Sequence, residues 1–164
     1  LAQQMREKWQ HEQDVESLKR ESRIEDAAVI EELLSAGIQP GTIQALTLVP
    51  AIHVAWANGF VEKKEHEAVM HAAHSIGIVE ESTTGHLLIS WLKRQPTSEL
   101  FQTWEDYTKV LHTVLDIVSY RHLHQNAVVT ATKIAQAAGG LLGIHSISVA
   151  EQRAINQIDE AFIN

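Results

Sequence analysis

The stretch "VAWANGFVEKKEHEAVMHAAHSIGI", Val54–Ile78, decides the fold because most of its pattern occurs twice. An apolar run leads into Asn58-Gly59, a pair suited to a turn because Asn tolerates and Gly favours the left-handed backbone. A single apolar residue, Val61, comes next, then an acid-rich helix start and an amphipathic run closed by Gly77. Further along the chain "VAWANG" falls over "IAQAAG", Ile134–Gly139, matching Ala55 to Ala135, Ala57 to Ala137 and Gly59 to Gly139. With Gly140–His145 as extra residues in the second loop, "FVEKKEHEAV" falls over "SISVAEQRAI". Val61 then pairs with Ile147, Glu65 with Glu151, Ala68 with Ala154 and Val69 with Ile155. Each copy reads as helix, glycine turn, one buried apolar residue, helix: a helical hairpin used twice, related by a pseudo-twofold axis.

Outward from this repeat the chain is helical throughout. "TIQALTLVPAIHVAWANG" is apolar on almost all sides, as a central buried helix is, and Pro50 must kink or restart it because its ring clashes with the carbonyl four residues back. "STTGHLLISWLKRQP" presents Leu87, Leu88, Trp91 and Leu92 on one face, and Pro96 separates it from "SELFQTWEDYTKVLHTVL". Ser119–Ala138 is helical again, "GGLLGIHS" is a glycine-rich connection, and "VAEQRAINQIDEAFIN" closes the chain. No stretch alternates with period two. The fold class is therefore all-α: a bundle of six or seven helices built on the repeated hairpin. The copies span about residues 42–78 and 120–164 of one domain covering 24–164.

Residues 1–23 read differently. Met5, Trp9, Val15 and Leu18 are thin apolar points in a dense field of charge, too sparse a stripe to bury against a large core. The pattern predicts an N-terminal helical arm, either solvated or docking on a partner, in one long helix with the following segment or as two in line. From Ile24 a full apolar face begins, with Ala27, Ala28, Ile30, Leu33 and Leu34. Because the chain opens at Leu1 inside this charged segment, it reads as a piece of a longer protein, cytoplasmic or tethered through an upstream segment.

The composition excludes several functions. A net charge of −8 repels phosphate backbones, and two short "LKR" triplets are the only basic clusters, so nucleic acid is not an expected partner. With no cysteine there is no disulfide framework, no thiolate nucleophile and no Cys-type zinc or iron-sulfur site. No apolar run reaches the ~20 residues that span a bilayer. A nucleophile elbow is lacking, "AAGGLLGIHS" does not end in the Lys-Ser/Thr of a phosphate loop, and the acids do not form the Glu-x-x-His sets of di-iron bundles.

Two groups of residues have a ligand reading. In the second copy Ser148 and Glu151 form an S-x-x-E capping box, and Glu65 holds the same third helical position in the first. Glu62 sits where a helix dipole favours an acid. On the following helix Glu67, His71 and His74 lie at i, i+4 and i+7, one carboxylate and two imidazoles of the kind that suits zinc or another first-row metal, with a fourth ligand needed from His53, His86 or His112. His122 and His124 straddle Leu123 and point in different directions. The aromatic residues Trp56, Trp91, Phe101, Trp104 and Tyr107 are expected in the core.

"ANGFVEKKE", Ala57–Glu65, resembles the turn of the TerB-like family of tellurite-resistance-associated helical domains, an Ala-Asp-Gly turn followed by Val and an acid-bearing helix start. The resemblance covers Thr42–Ile78 and, more weakly, Ile134–Phe162. It implies a divalent cation held by acids around the turn, here Asn58, Glu62 and Glu65, and an association with stress-response or membrane-linked assemblies. Asn58 stands where the family has Asp, and the second copy has Ala138 there and keeps only Glu151. Two functions follow as expectations: a non-catalytic interaction module whose arm engages a protein partner or a second copy, or a divalent-cation sensor centred on Asn58, Glu62 and Glu65. An enzyme is not expected.

Overall fold

A computed structural model describes residues 1–138 and 146–162, and within them the chain is all-α, with eight α-helices and no strand. They are α1 (Ala2–Ser22), α2 (Ala27–Ser35), α3 (Val49–Ala55), α4 (Lys63–Ser75), α5 (Thr83–Lys93), α6 (Ser98–Val114), α7 (Ile117–Ala138) and α8 (Val149–Glu160). The glycine-rich connection after α7 lies mostly outside the described residues.

The expected single or in-line helix at the N-terminus is instead two helices turned against each other, one more than the upper end of the expected count. Arg23 takes a left-handed conformation, φ 61°, which ends α1. The Asp26 side chain then accepts from the Ala28 and Val29 amides and starts α2. His11 Nε2 lies 2.8 Å from Glu31 Oε1, so α2 folds back along α1.

A second correction concerns the arm. Leu18 is 0% exposed and belongs to the main core, Val15 packs against it, and the Gly41 amide donates to Glu21 Oε2 at 2.9 Å. One well-placed leucine anchors the helix where the sparse pattern promised no burial, and the packed body starts inside α1. Residues 1–13 are all exposed.

Pro50 restarts the chain as expected. A 3-10 segment, Ile43–Leu48, precedes it, and α3 begins at Val49 with Pro50 in its first turn, where a missing amide costs nothing. Six of the seven α3 residues are buried, so α3 is the hub, and α7 packs along both α3 and α4. Trp56 ties this hub to α5 by donating from Nε1 to the Trp91 carbonyl at 2.7 Å. At the start of α5 the chain passes too close to itself for any side chain: a Cβ on Gly85 would meet the carbonyl oxygens of Val79 and Glu80, the latter at 2.6 Å. In the described residues no helix is long and apolar enough to cross a membrane.

Candidate functional site

The helix starts of α4 and α8 are built alike. Glu62 N donates to Glu65 Oε1 at 2.9 Å, and Ser148 N donates to Glu151 Oε1 at 2.8 Å. In the second copy the box closes from both sides, since Glu151 N donates to Ser148 Oγ at 3.1 Å. The paired positions share their environments as well: Val61 and Ile147 are half-buried against the core, while Val69 and Ile155, and Ala55 and Ala135, are buried.

No local pattern signals that the two starts come together. Ser148 Oγ also donates to Asn58 Oδ1 at 3.1 Å, joining the first turn to the second helix cap across the molecule. Glu65 is 2% exposed and Glu151 3%, and the second carboxylate oxygen of each, Oε2, is buried without a hydrogen-bond partner. Burial, then the negative charges of Glu151 and Glu62, push the Glu65 carboxyl up to about 7, against the pull of its bond from the Glu62 amide. At neutral pH this group stands ready to take a proton or a counter-charge.

Of the expected first ligand set, Asn58 is exposed and engaged by Ser148, Glu62 is half-buried at the start of α4, and Glu65 is in the interior. Glu67, His71 and His74 all lie on the exposed face of α4. Among the described residues no three His, Asp or Glu side chains come together tightly enough to hold a metal ion. His53, offered as a fourth ligand, stacks on Phe101 with ring centres 3.8 Å apart and pairs with Gln157 at 2.7 Å, and burial lowers its pKa. His112 packs edge-on against Tyr120. His124 is held between Phe162 and Asp159, 2.6 Å from the acid. Of the five aromatic residues expected in the core, Trp91 and Trp104 are buried, and Trp56, Phe101 and Tyr107 pack half-buried against it.

A second acid pair had no signal in the sequence. Glu32 on α2 meets Asp106 on α6, and burial together with a hydrogen bond to Asp106 and its charge pushes Glu32 up to about 7. Only the tertiary fold creates this contact, because the partners are far apart in the chain and neither belongs to a motif.

The N-terminal half of α1 is the other candidate surface. Leu1, Met5 and Trp9 follow one another at four-residue spacing and are 93%, 67% and 60% exposed. At about 100° per residue, Trp9 lies about half a turn of azimuth from Leu18, so the stripe faces away from the anchored side.

No protein-family model, curated protein or solved structure matches this chain.

Proposed function

We propose that this chain is a non-catalytic helical interaction module that engages a protein partner or a second copy of itself through the first turns of α1. The observation that carries this reading is the exposed Leu1–Met5–Trp9 stripe on a helix whose far end is pinned by Leu18. A helix that displays apolar anchors at regular spacing is a common form of groove recognition.

Sedimentation velocity tests this. The wild-type chain is expected to self-associate as its concentration rises, and Met5→Glu with Trp9→Glu to dissolve the assembly without moving the thermal midpoint. A wild-type monomer at every concentration transfers the stripe to a different partner chain. A large fall in the variant's midpoint refutes the reading, because the stripe would then be packing on its own domain.

The orphaned oxygens of Glu65 and Glu151 favour a second reading, a TerB-like, stress-response-linked cation sensor whose centre is shared by the two copies. Here Asn58, Glu62 and Glu65 would hold a divalent cation with Glu151 adding a carboxylate, and since these acids form no three-ligand cluster as they stand, binding would have to draw them together. Thermal unfolding of metal-stripped protein with calcium, magnesium, manganese or zinc, each against chelator, decides it. Saturation to about a hundred times the dissociation constant stabilises by ~2.7 kcal/mol. That shift should vanish in Glu62→Gln/Glu65→Gln and in Glu151→Gln; no shift with any ion removes the reading. A zinc response lost only on changing His71 and His74 would move the site to the exposed face of α4.

A further inference from the structure

The hub helix α3 packs against both α6 and α8, and the three helices line an open cleft of about 540 Å³. α6 turns Phe101, Gln102 and Glu105 to it, and α8 turns Arg153, Ala154 and Gln157, at the three- and four-residue spacings that share a helix face. His53 on α3 fixes the geometry between them, stacked on Phe101 with ring centres 3.8 Å apart and paired with Gln157 at 2.7 Å. Burial lowers its pKa, so His53 brings no charge at neutral pH. Val49, Ile52 and Leu100, all buried, make the floor apolar.

Glu105 and Arg153 are the only charged residues lining the cleft, one acid and one base on different helices. Among the described residues neither forms an ion pair. Burial pushes the Glu105 carboxyl above its ordinary value, against the pull of Lys109, so a cation brought from outside would stabilise its charged form. Glu105 is four residues from Phe101, and Arg153 four from Gln157. Each charge therefore stands about 6 Å, one helical turn, from a residue tied to His53. A peptide of two residues spans about 7 Å between its ends, a length suited to two charges so placed. Between them Gln102 donates to Asp106 at 3.2 Å, which leaves its carbonyl oxygen to accept from an amide N–H. The volume agrees: a cavity of ~150 Å³ holds benzene, so a space three to four times larger suits roughly twenty non-hydrogen atoms.

We infer that this cleft binds a short apolar peptide with free ends, its ammonium on Glu105, its carboxylate on Arg153 and an aliphatic side chain on the apolar floor. The inference is independent of the α1 stripe and of the Glu65–Glu151 pair, which lie on other residues.

Isothermal titration calorimetry of the full chain at pH 7 and low salt, with leucyl-leucine, N-acetyl-leucyl-leucine and leucyl-leucinamide, tests the two ends separately. The free dipeptide is expected to bind saturably in the submillimolar range, with either capped form about tenfold weaker. Arg153→Gln should weaken leucyl-leucine about tenfold and leave leucyl-leucinamide, which has no carboxylate, unchanged. Glu105→Gln should weaken leucyl-leucine to the same degree and leave N-acetyl-leucyl-leucine, which has no ammonium, unchanged. Circular dichroism melts establish that the variants fold, and either one carries the test by itself. Absence of saturable binding at millimolar dipeptide, equal affinity for the three ligands, or a variant that weakens all three alike overturns the inference.

Discussion

Glu65 is the residue on which the interior turns. Its carboxyl titrates near 7 in the folded chain against an ordinary 4.5, so between these values the folded state holds the extra proton. Stability then falls as pH rises through that window and levels off above it, by up to about 3 kcal/mol from this group. Glu65→Gln keeps an acceptor for the Glu62 amide and removes the charge. Its stability should exceed wild type at pH 8 and match it near pH 5. His53 works in the opposite sense, since burial lowers its pKa and acid then opposes folding, so the difference between variant and wild type is the quantity to measure in urea titrations. Gly85 gives a simpler case. Gly85→Ala forces a methyl into two backbone carbonyls and should cost about 1–3 kcal/mol, a midpoint lowered by several degrees in a differential scan.

At the scale of elements, α1 separates anchor from display. Leu18→Ala should cost about 2–5 kcal/mol in chemical denaturation, as for other fully buried leucines. Removing residues 1–13, all exposed, should leave the midpoint nearly unchanged, whereas removing the helix through Arg23 should lower it sharply. The cap of α8 is a second element-scale test. Ser148→Ala loses the acceptor for the Glu151 amide and the donor to Asn58, and should destabilise by ~1 kcal/mol or more. The helix starts were legible in the sequence because capping is local: Ser148 and Glu151 are three residues apart, and their chemistry needs nothing from elsewhere. Leu18 was misread for the converse reason, since one apolar side chain among charges is buried or not according to what the rest of the chain brings to it.

Across the whole molecule, the repeat fixed the topology but not what the two copies share. Periodicity and turn residues predicted two hairpins, and α3–α4 and α7–α8 are those hairpins. That their caps would meet, orphaning one oxygen on each of two buried glutamates, depends on how the hairpins pack, which no local pattern encodes. Joining the copies at this point predicts coupled energetics. Glu65→Gln and Glu151→Gln should be non-additive by more than the ~0.5 kcal/mol scatter of independent sites, since either change alone removes the repulsion between the two. A double-mutant cycle at pH 8 measures it, and additivity would separate the two acids.

The anchoring of α1 also has a mechanical side. The helix is about 30 Å long, at 1.5 Å per residue, and its attachments to the body lie mainly toward its C-terminal end, at Val15, Leu18 and the Glu21–Gly41 bond. Tension applied at Leu1, whether by a bound partner or by a longer chain, therefore reaches the body through a few contacts beside the 3-10 segment, before any load falls on α3 and α7. Stretched from that end, the molecule should yield in two steps: a short, low-force release of α1, then rupture of the paired hairpins as one unit.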